Sequence, residues 1–379
     1  MVSTQHALNT ARANAHDRWT GAEGSAEQRI KERIVIPLGR QSFTAAPSDT
    51  FFAVGSCFAR NVEERLAQAG ARVTSLDIKV DDLGNGSARA GGMFNKYTPL
   101  SILQELKWAA GLEVYPAEAL LPVGGGDDCY DPYLSGKAGR GPVESLMTRR
   151  AQIGQYFAQI FSANIAVLTL GLTESWTDLE TGLSLNEAPH PKVLLRYSKR
   201  FSFERLSLEQ CEAALADIAA ILKAHGRPDQ KQIITVSPVP LGRTFTEDDI
   251  IIANTTSKST LRVAALRLTE KYVDMDYFPS YEAVLHSDPA LSWQRDLRHV
   301  SDVVVGQIIQ TFMQRYGVIA DIMEPDSAMI SALYEDPMFL KWSENAESHD
   351  ALLVKLNQEV NKYKNMVLQL QKQLRQVQG

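Results

Sequence analysis

Ser56 ends the short apolar run Asp49-Thr-Phe-Phe-Ala-Val-Gly-Ser56, and the stretch after it carries apolar residues at Phe58, Val62, Leu66 and Ala69. That pattern predicts a strand, a tight turn and a helix. A serine in such a turn holds its hydroxyl at the mouth of the sheet. The N–H groups of the helix start, the backbone N–H of Cys57 among them, then face outward and suit an oxyanion formed when the serine attacks an acyl carbonyl. Taken alone, Gly55-Ser56 is equally an ordinary helix N-cap. A second segment supplies a matching base: in Asp296-Leu-Arg-His299 the spacing lets the carboxylate fold back on Nδ1 of the imidazole, leaving Nε2 free to accept a serine proton. An isolated Asp-x-x-His also occurs on solvated helix starts, so the pair gains meaning only if the fold brings it to Ser56.

Other nucleophiles and ligands are less well placed. Cys57 is a rival, because a thiol at a helix N-terminus is readily activated. Adjacent residues at a turn point in different directions, however, so Cys57 is expected to face the core when Ser56 faces the mouth. Cys57, Cys129 and Cys211 are three in number, widely spaced and without a C-x-x-C pair, which indicates neither a disulfide framework nor a zinc site. His190, His225 and His286 show no metal-binding spacing. The expectation is a site without metal or cofactor.

The elements that must position these residues follow a repeating order. Ala71 to Leu76 predicts a second strand after the helix stop at Gly70, Asn164 to Gly171 a central strand covered on both faces, Lys231 to Ser237 a fourth and Tyr272 to Asp276 a short fifth. Helices are predicted over Thr98–Ala110, Val143–Phe161, Leu206–His225, from Asn254 or Thr255 to about Lys271, and over His299–Tyr316. About five strands alternating with helices imply an α/β fold, a three-layer doubly wound parallel sheet whose ligands bind beyond the carboxyl ends of the strands. The loops after the first and last strands open on that same edge. Residues 77–162, rich in glycine, read as a long insertion decorating it.

Around this catalytic domain, taken as residues 46–325, lie an N-terminal extension over 1–45, a linker with short helices over 326–349, and a tail over 350–379. In the tail Leu353, Leu356, Val360, Tyr363, Val367, Leu370, Leu374 and Val377 alternate in steps of three and four, a coiled-coil seam of about four heptads. The expected consequence is a homo-oligomer joined through residues 353–377; packing of the same helix on its own domain is the alternative. The formal net charge of −6 and the lack of a Lys/Arg cluster argue against nucleic acid as a partner. No apolar run approaches the ~20 residues that span a bilayer, and the N-terminus lacks the apolar core of a secretory signal. A cytoplasmic location is the resulting expectation.

Gly55-Ser56-Cys57-Phe58-Ala59 spells the signature of the GSCFA family, which resembles the SGNH or GDSL-like serine hydrolases. Phe94-Asn95-Lys96-Tyr97-Thr98-Pro99, Leu170-Gly171-Leu172-Thr173-Glu174-Ser175-Trp176, Thr235-Val236-Ser237-Pro238-Val239-Pro240 and Asp296-Leu297-Arg298-His299 are similar to further family segments. The resemblance runs from about Phe51 to Tyr316 and implies a flavodoxin-like fold with a serine site. It implies Ser56 as nucleophile, His299 as base and Asp296 as its partner, with Gly92 as the candidate glycine donor to the oxyanion. Where SGNH enzymes place Gly-x-Asn-Asp, this chain has Gly171-Leu172-Thr173-Glu174. The asparagine donor is missing there, and Asn95 or the Thr173 hydroxyl would have to replace it. Glu174 either orients substrate hydroxyls or pairs with Arg243 or Arg298, since a free carboxylate would repel an oxyanion. Trp176 and Tyr97 either stack on a sugar ring or pack.

Two functions follow as expectations. One is a serine esterase or acyltransferase acting on a small acyl ester, acetyl in the first instance, with a carbohydrate as the candidate substrate by analogy with the family. The other is a glycan- or carrier-binding scaffold of decayed activity, oligomerised through its tail.

Overall fold

Thr50–Gly55 is buried on both faces, as is Ile165–Leu170 beside it, and such runs form only where helices cover a sheet above and below. The computed structural model describes residues 1–77, 92–123, 125–134 and 139–320. Its central sheet has five strands, all parallel: β1 (Thr50–Gly55), β2 (Arg72–Val73), β3 (Ile165–Leu170), β4 (Lys231–Val236) and β5 (Met275–Tyr277). They lie in the order β5-β4-β3-β1-β2, the 2-1-3-4-5 arrangement of a flavodoxin-type doubly wound sheet. Phe51 pairs with Ile165 and Gly55 with Thr169, while Val236 pairs with Leu170, so β1, β3 and β4 end nearly level. The chain order reverses between β1 and β3, which opens a crevice beyond their carboxyl ends.

One face of the sheet carries α1 (Cys57–Gln68) and the helix Asp302–Arg315, with Phe58, Val62, Ile308 and Phe312 turned inward. The other carries α2 (Pro99–Ala109), α3 (Val143–Ala158), α4 (Leu208–His225) and α5 (Ile250–Lys271). There Ile102, Leu106, Ile153, Phe157, Leu215 and Leu261 form one apolar cluster with Phe52, Val54, Leu168 and Ile234. The segment read as an edge decoration therefore supplies α2 and α3 to the main core.

Two small antiparallel sheets stand above the crevice. One joins Leu121–Pro122, Asp128–Tyr130 and Arg140–Pro142; the other joins Glu174–Asp178, Leu183–Ser184 and Phe201–Arg205. The N-terminal segment ends beside β5 and the end of the last helix, where the Ser42 N–H donates to the Asp276 carboxylate and the Ala45 N–H to the Tyr316 carbonyl.

Two helix starts differ from the sequence reading. α5 begins at Ile250, capped by Asp249, because the Asn254 side chain accepts from the Leu241 N–H instead of capping. The last helix begins at Asp302, capped by Ser301, which leaves His299 in the preceding loop. The linker over 326–349 and the coiled-coil tail lie outside the described residues, as do residues 78–91 of the glycine-rich stretch. Among the described residues, no helix is long and apolar enough to cross a membrane, and no three His, Cys, Asp or Glu side chains converge as a metal site.

Candidate functional site

Gly55 makes the sharp exit from β1. Its φ is +146°, and a Cβ there would overlap the Thr169 carbonyl on the neighbouring strand, so only glycine fits. Ser56 follows as the N-cap of α1. Its Oγ accepts from the Phe58 N–H at 3.3 Å and donates to Ser237 Oγ at 3.0 Å. Ser237 stands just past the end of β4. The Ser56 hydroxyl is thus presented at the floor of the crevice, 3% exposed.

The segment Asn95-Lys96-Tyr97 ties this floor together. The Lys96 N–H donates to the Gly55 carbonyl at 2.7 Å, and the Tyr97 carbonyl accepts from the Gly171 and Leu172 N–H groups at 3.1 and 2.7 Å. Asn186 accepts from the Tyr97 N–H and donates to the Asn95 carbonyl. Gly171 is glycine because a Cβ would sit 2.7 Å from the Tyr97 carbonyl oxygen.

The loop of Asp296 and His299 folds as its spacing implies. Asp296 Oδ1 accepts from the Arg298 and His299 N–H groups at 3.0 and 2.9 Å, and Oδ2 engages His299 Nδ1. Between them Leu297 adopts a φ of +52°, a strained setting for a leucine that the two Asp296 bonds hold in place. Partial burial acts to raise the Asp296 carboxyl, but the hydrogen bonds from His299 and Arg298 outweigh it and hold the group at about 2. The carboxylate is therefore ionised wherever the imidazole could serve as a base. Both side chains stay close to half exposed, 46% for His299 and 47% for Asp296.

Ser56 and His299 line one cleft of about 1210 Å³. They are not hydrogen-bonded to each other: the single Ser56 proton is committed to Ser237, so a productive arrangement requires the serine hydroxyl to turn from Ser237 to His299. Ser237 is the site residue that sequence reasoning passed over. It lay within the quoted Thr235-Val236-Ser237-Pro238 segment, but only the pairing of β4 with β3 brings it to β1.

The remaining predicted residues separate. Cys57 is half-buried and lines the cleft beside Ser56, contrary to the expectation that it faces the core. Burial pushes its thiol up, against the lowering effects of the Phe58 N–H and the Arg298 charge, so it is a poor thiolate. Asn95 also lines the cleft. Its Nδ2 donates to the Tyr97 hydroxyl at 3.3 Å, leaving the second hydrogen of the amide for another acceptor. Gly92 does not line the cleft: with a φ of +74° it forms the turn behind Asn95, where a Cβ would lie 3.2 Å from the Asn95 amide. Gly171 lines the cleft, but its N–H is spent on Tyr97. Thr173 is fully buried, with its N–H on Ser257 Oγ and its hydroxyl outside the cleft; of the two proposed replacements for the missing donor, Asn95 alone has the position. If Asn95 serves an oxyanion, Asn95→Ala is expected to lower kcat about 10²–10³-fold with little change in KM, as steady-state kinetics would show; an unchanged kcat would remove it from the role.

Glu174 pairs with neither Arg243 nor Arg298. Its carboxylate accepts from Thr244 Oγ1 at 2.5 Å and from the Phe245 N–H at 3.0 Å, which fixes the loop after β4. Trp176 packs against Phe203 and Phe245, with ring centroids 5.4 and 5.0 Å apart, and the last of these residues is partly exposed on the cleft.

Lys258 on α5 underpins the floor. It is fully buried and donates to the Gly171 and Val239 carbonyls at 2.8 and 2.7 Å, clamping the loops after β3 and β4. Burial pushes its ammonium from 10.5 down to about 7. A neutral amine keeps two N–H donors, enough for both carbonyls. Because the folded group releases its proton first, the unfolded chain binds more protons between about pH 7 and 10, and stability must rise with pH there. Relative to Lys258→Met, the wild-type unfolding free energy is expected to gain on the order of 1.4 kcal/mol per pH unit over that window. Parallel pH profiles in denaturant titrations would contradict the assignment.

Residues 50–312 match the model of the GSCFA family. No curated protein and no solved structure matches the chain significantly.

Proposed function

The chain belongs to the GSCFA family, and from that premise we propose that it is a serine esterase or acyltransferase acting on a small acyl ester, acetyl in the first instance and borne by a carbohydrate. The observation that carries this reading is that Ser56, at a strand end and helix start, and a carboxylate-paired His299 line one cleft. In the proposed reaction the Ser56 hydroxyl leaves Ser237 and turns to His299. As Oγ bonds to the acyl carbon, Nε2 takes its proton and Asp296 stabilises the imidazolium. The negative charge moves to the carbonyl oxygen, where the Cys57 N–H and Asn95 Nδ2 are the donors at hand. Collapse breaks the ester bond, the imidazolium protonates the departing alcohol, and an acyl-serine remains. Water or a second hydroxyl, deprotonated by the same imidazole, resolves it and decides between hydrolysis and transfer.

A fluorophosphonate probe tests the reading. Stoichiometric labelling of folded protein, lost in Ser56→Ala, is the expected result. Failure to label folded wild-type protein would favour the scaffold reading, to which the Ser56–Ser237 hydrogen bond also lends itself. Self-association through residues 353–377 is proposed alongside. Deleting residues 350–379 is expected to reduce the mass measured by light scattering to that of one chain, and an unchanged mass would count against it.

A further inference from the structure

The chain carries a formal charge of −6, yet the cleft above Ser56 has the opposite balance. Arg140, Lys192, Arg196, Arg243 and Arg298 line it, against Glu174 and Glu187. The Glu174 carboxylate is hydrogen-bonded by Thr244 and Phe245 but keeps its charge, and Arg140 is paired with Asp128 at 2.7 Å. Arg196 lies over the Tyr197 ring. Lys192, Arg243 and Arg298 have no acidic partner among the described residues, and with Arg196 they outnumber the two carboxylates Glu174 and Glu187 on the cleft wall.

Arg298 is also seated. Its guanidinium occupies the space over Gly242, where a Cβ would come within 2.8 Å of Nη2, so the glycine after Leu241 gives it room. It follows Leu297 in the constrained loop that carries His299. Its charge opposes the burial that raises the Cys57 thiol, which puts the guanidinium within electrostatic reach of the residue beside the nucleophile. Arg243 stands two residues from Phe245, whose ring closes the apolar platform formed with Trp176 and Phe203. An apolar wall and an excess of cations over acids suit a ligand with a ring-sized body and a negative substituent.

We propose that the cleft selects acyl esters whose alcohol part carries an anionic group, a carboxylate, sulfate or phosphate, held by Arg298 together with Arg243 and Lys192. The proposal rests on the serine-ester reading for the bond that reacts, and on the cleft's charge for the part of the substrate that does not.

Two matched esters, phenyl acetate and 4-acetoxybenzoate, differ by one carboxylate. With the full-length protein at low ionic strength, kcat/KM for the charged ester is expected to exceed that for the neutral one by about tenfold, and added salt should shrink the ratio. In the double variant R243E/K192E the ratio is expected to fall by about tenfold or more. A ratio near one in the wild type, or one untouched by the charge reversal, overturns the proposal. Calorimetric binding of a galacturonic acid trimer and of galactotriose to full-length Ser56→Ala protein separates this failure from that of the ester reading. Charge-dependent binding of the acidic trimer without turnover of either ester upholds the selectivity and sinks the serine chemistry. Turnover without discrimination does the reverse, and absence of both binding and turnover overturns the two together.

Discussion

Ser56→Ala is expected to lower turnover of a simple acetate ester by about 10⁴-fold or more, and His299→Ala by a similar factor, because the proposed nucleophile and base act as one unit and their losses do not add. Asp296→Asn should cost about as much while preserving the fold. The carboxyl is held down at about 2 by its hydrogen bonds and is ionised throughout the neutral range, so its protonation shapes no part of a neutral pH profile; what the asparagine removes is the acceptor that fixes Nδ1 and steadies the imidazolium. Its Oδ1 can still receive the two backbone N–H groups that hold Leu297. Equal loss in the single variants and in the Ser56→Ala/His299→Ala pair is the signature to measure. Simple multiplication of the two losses would contradict a shared mechanism.

The second large effect concerns stability. Glu105 is fully buried between Lys96 Nζ at 2.7 Å and Arg150 Nη2 at 3.2 Å. Burial works against the Glu105 carboxylate, but the neighbouring Arg150 and Lys96 charges prevail and hold it below the ordinary carboxylate range. Arg150 also lies over the Trp108 and Tyr115 rings, 4.7 and 4.8 Å from their centroids. Glu105→Ala strands two buried cations, and such a break costs about 3–5 kcal/mol. Because the Lys96 N–H holds the Gly55 carbonyl, the damage should reach the Ser56 turn. The expected result in urea denaturation is a midpoint lowered accordingly, with Glu105→Gln less affected since it keeps an acceptor. A shift below about 1 kcal/mol would mean that the network contributes little.

How far these arrangements could be read from the sequence depends on how local their causes are. The five strands and the Ser56 turn were legible because each is written in a few adjacent residues: an apolar run, a glycine that permits the exit, and a hydroxyl that caps the helix. The Asp296–His299 pair was legible for the same reason, as a three-residue step that closes on itself. The two small antiparallel sheets were not, since strands of two to five residues gain their identity from partners rather than from period. The Ser56–Ser237 bond joins positions 181 apart, and Lys258 reaches carbonyls on two separate loops; no local pattern marks either residue. Thr173 and Gly92 lie off the cleft although the family spacing names their neighbourhood, because the pleat and the turn decide which groups face it.

Whether Ser56 becomes acylated is the claim on which the catalytic account stands. Mixing the protein with an activated acetyl ester, quenching in acid during turnover and fragmenting the peptide that holds both Ser56 and Cys57 reads the answer directly. The account predicts an acetyl group on the Ser56 oxygen, absent in Ser56→Ala. Sustained turnover with the acetyl group on Cys57 instead, or with no acyl-enzyme and full activity in Ser56→Ala, would contradict it.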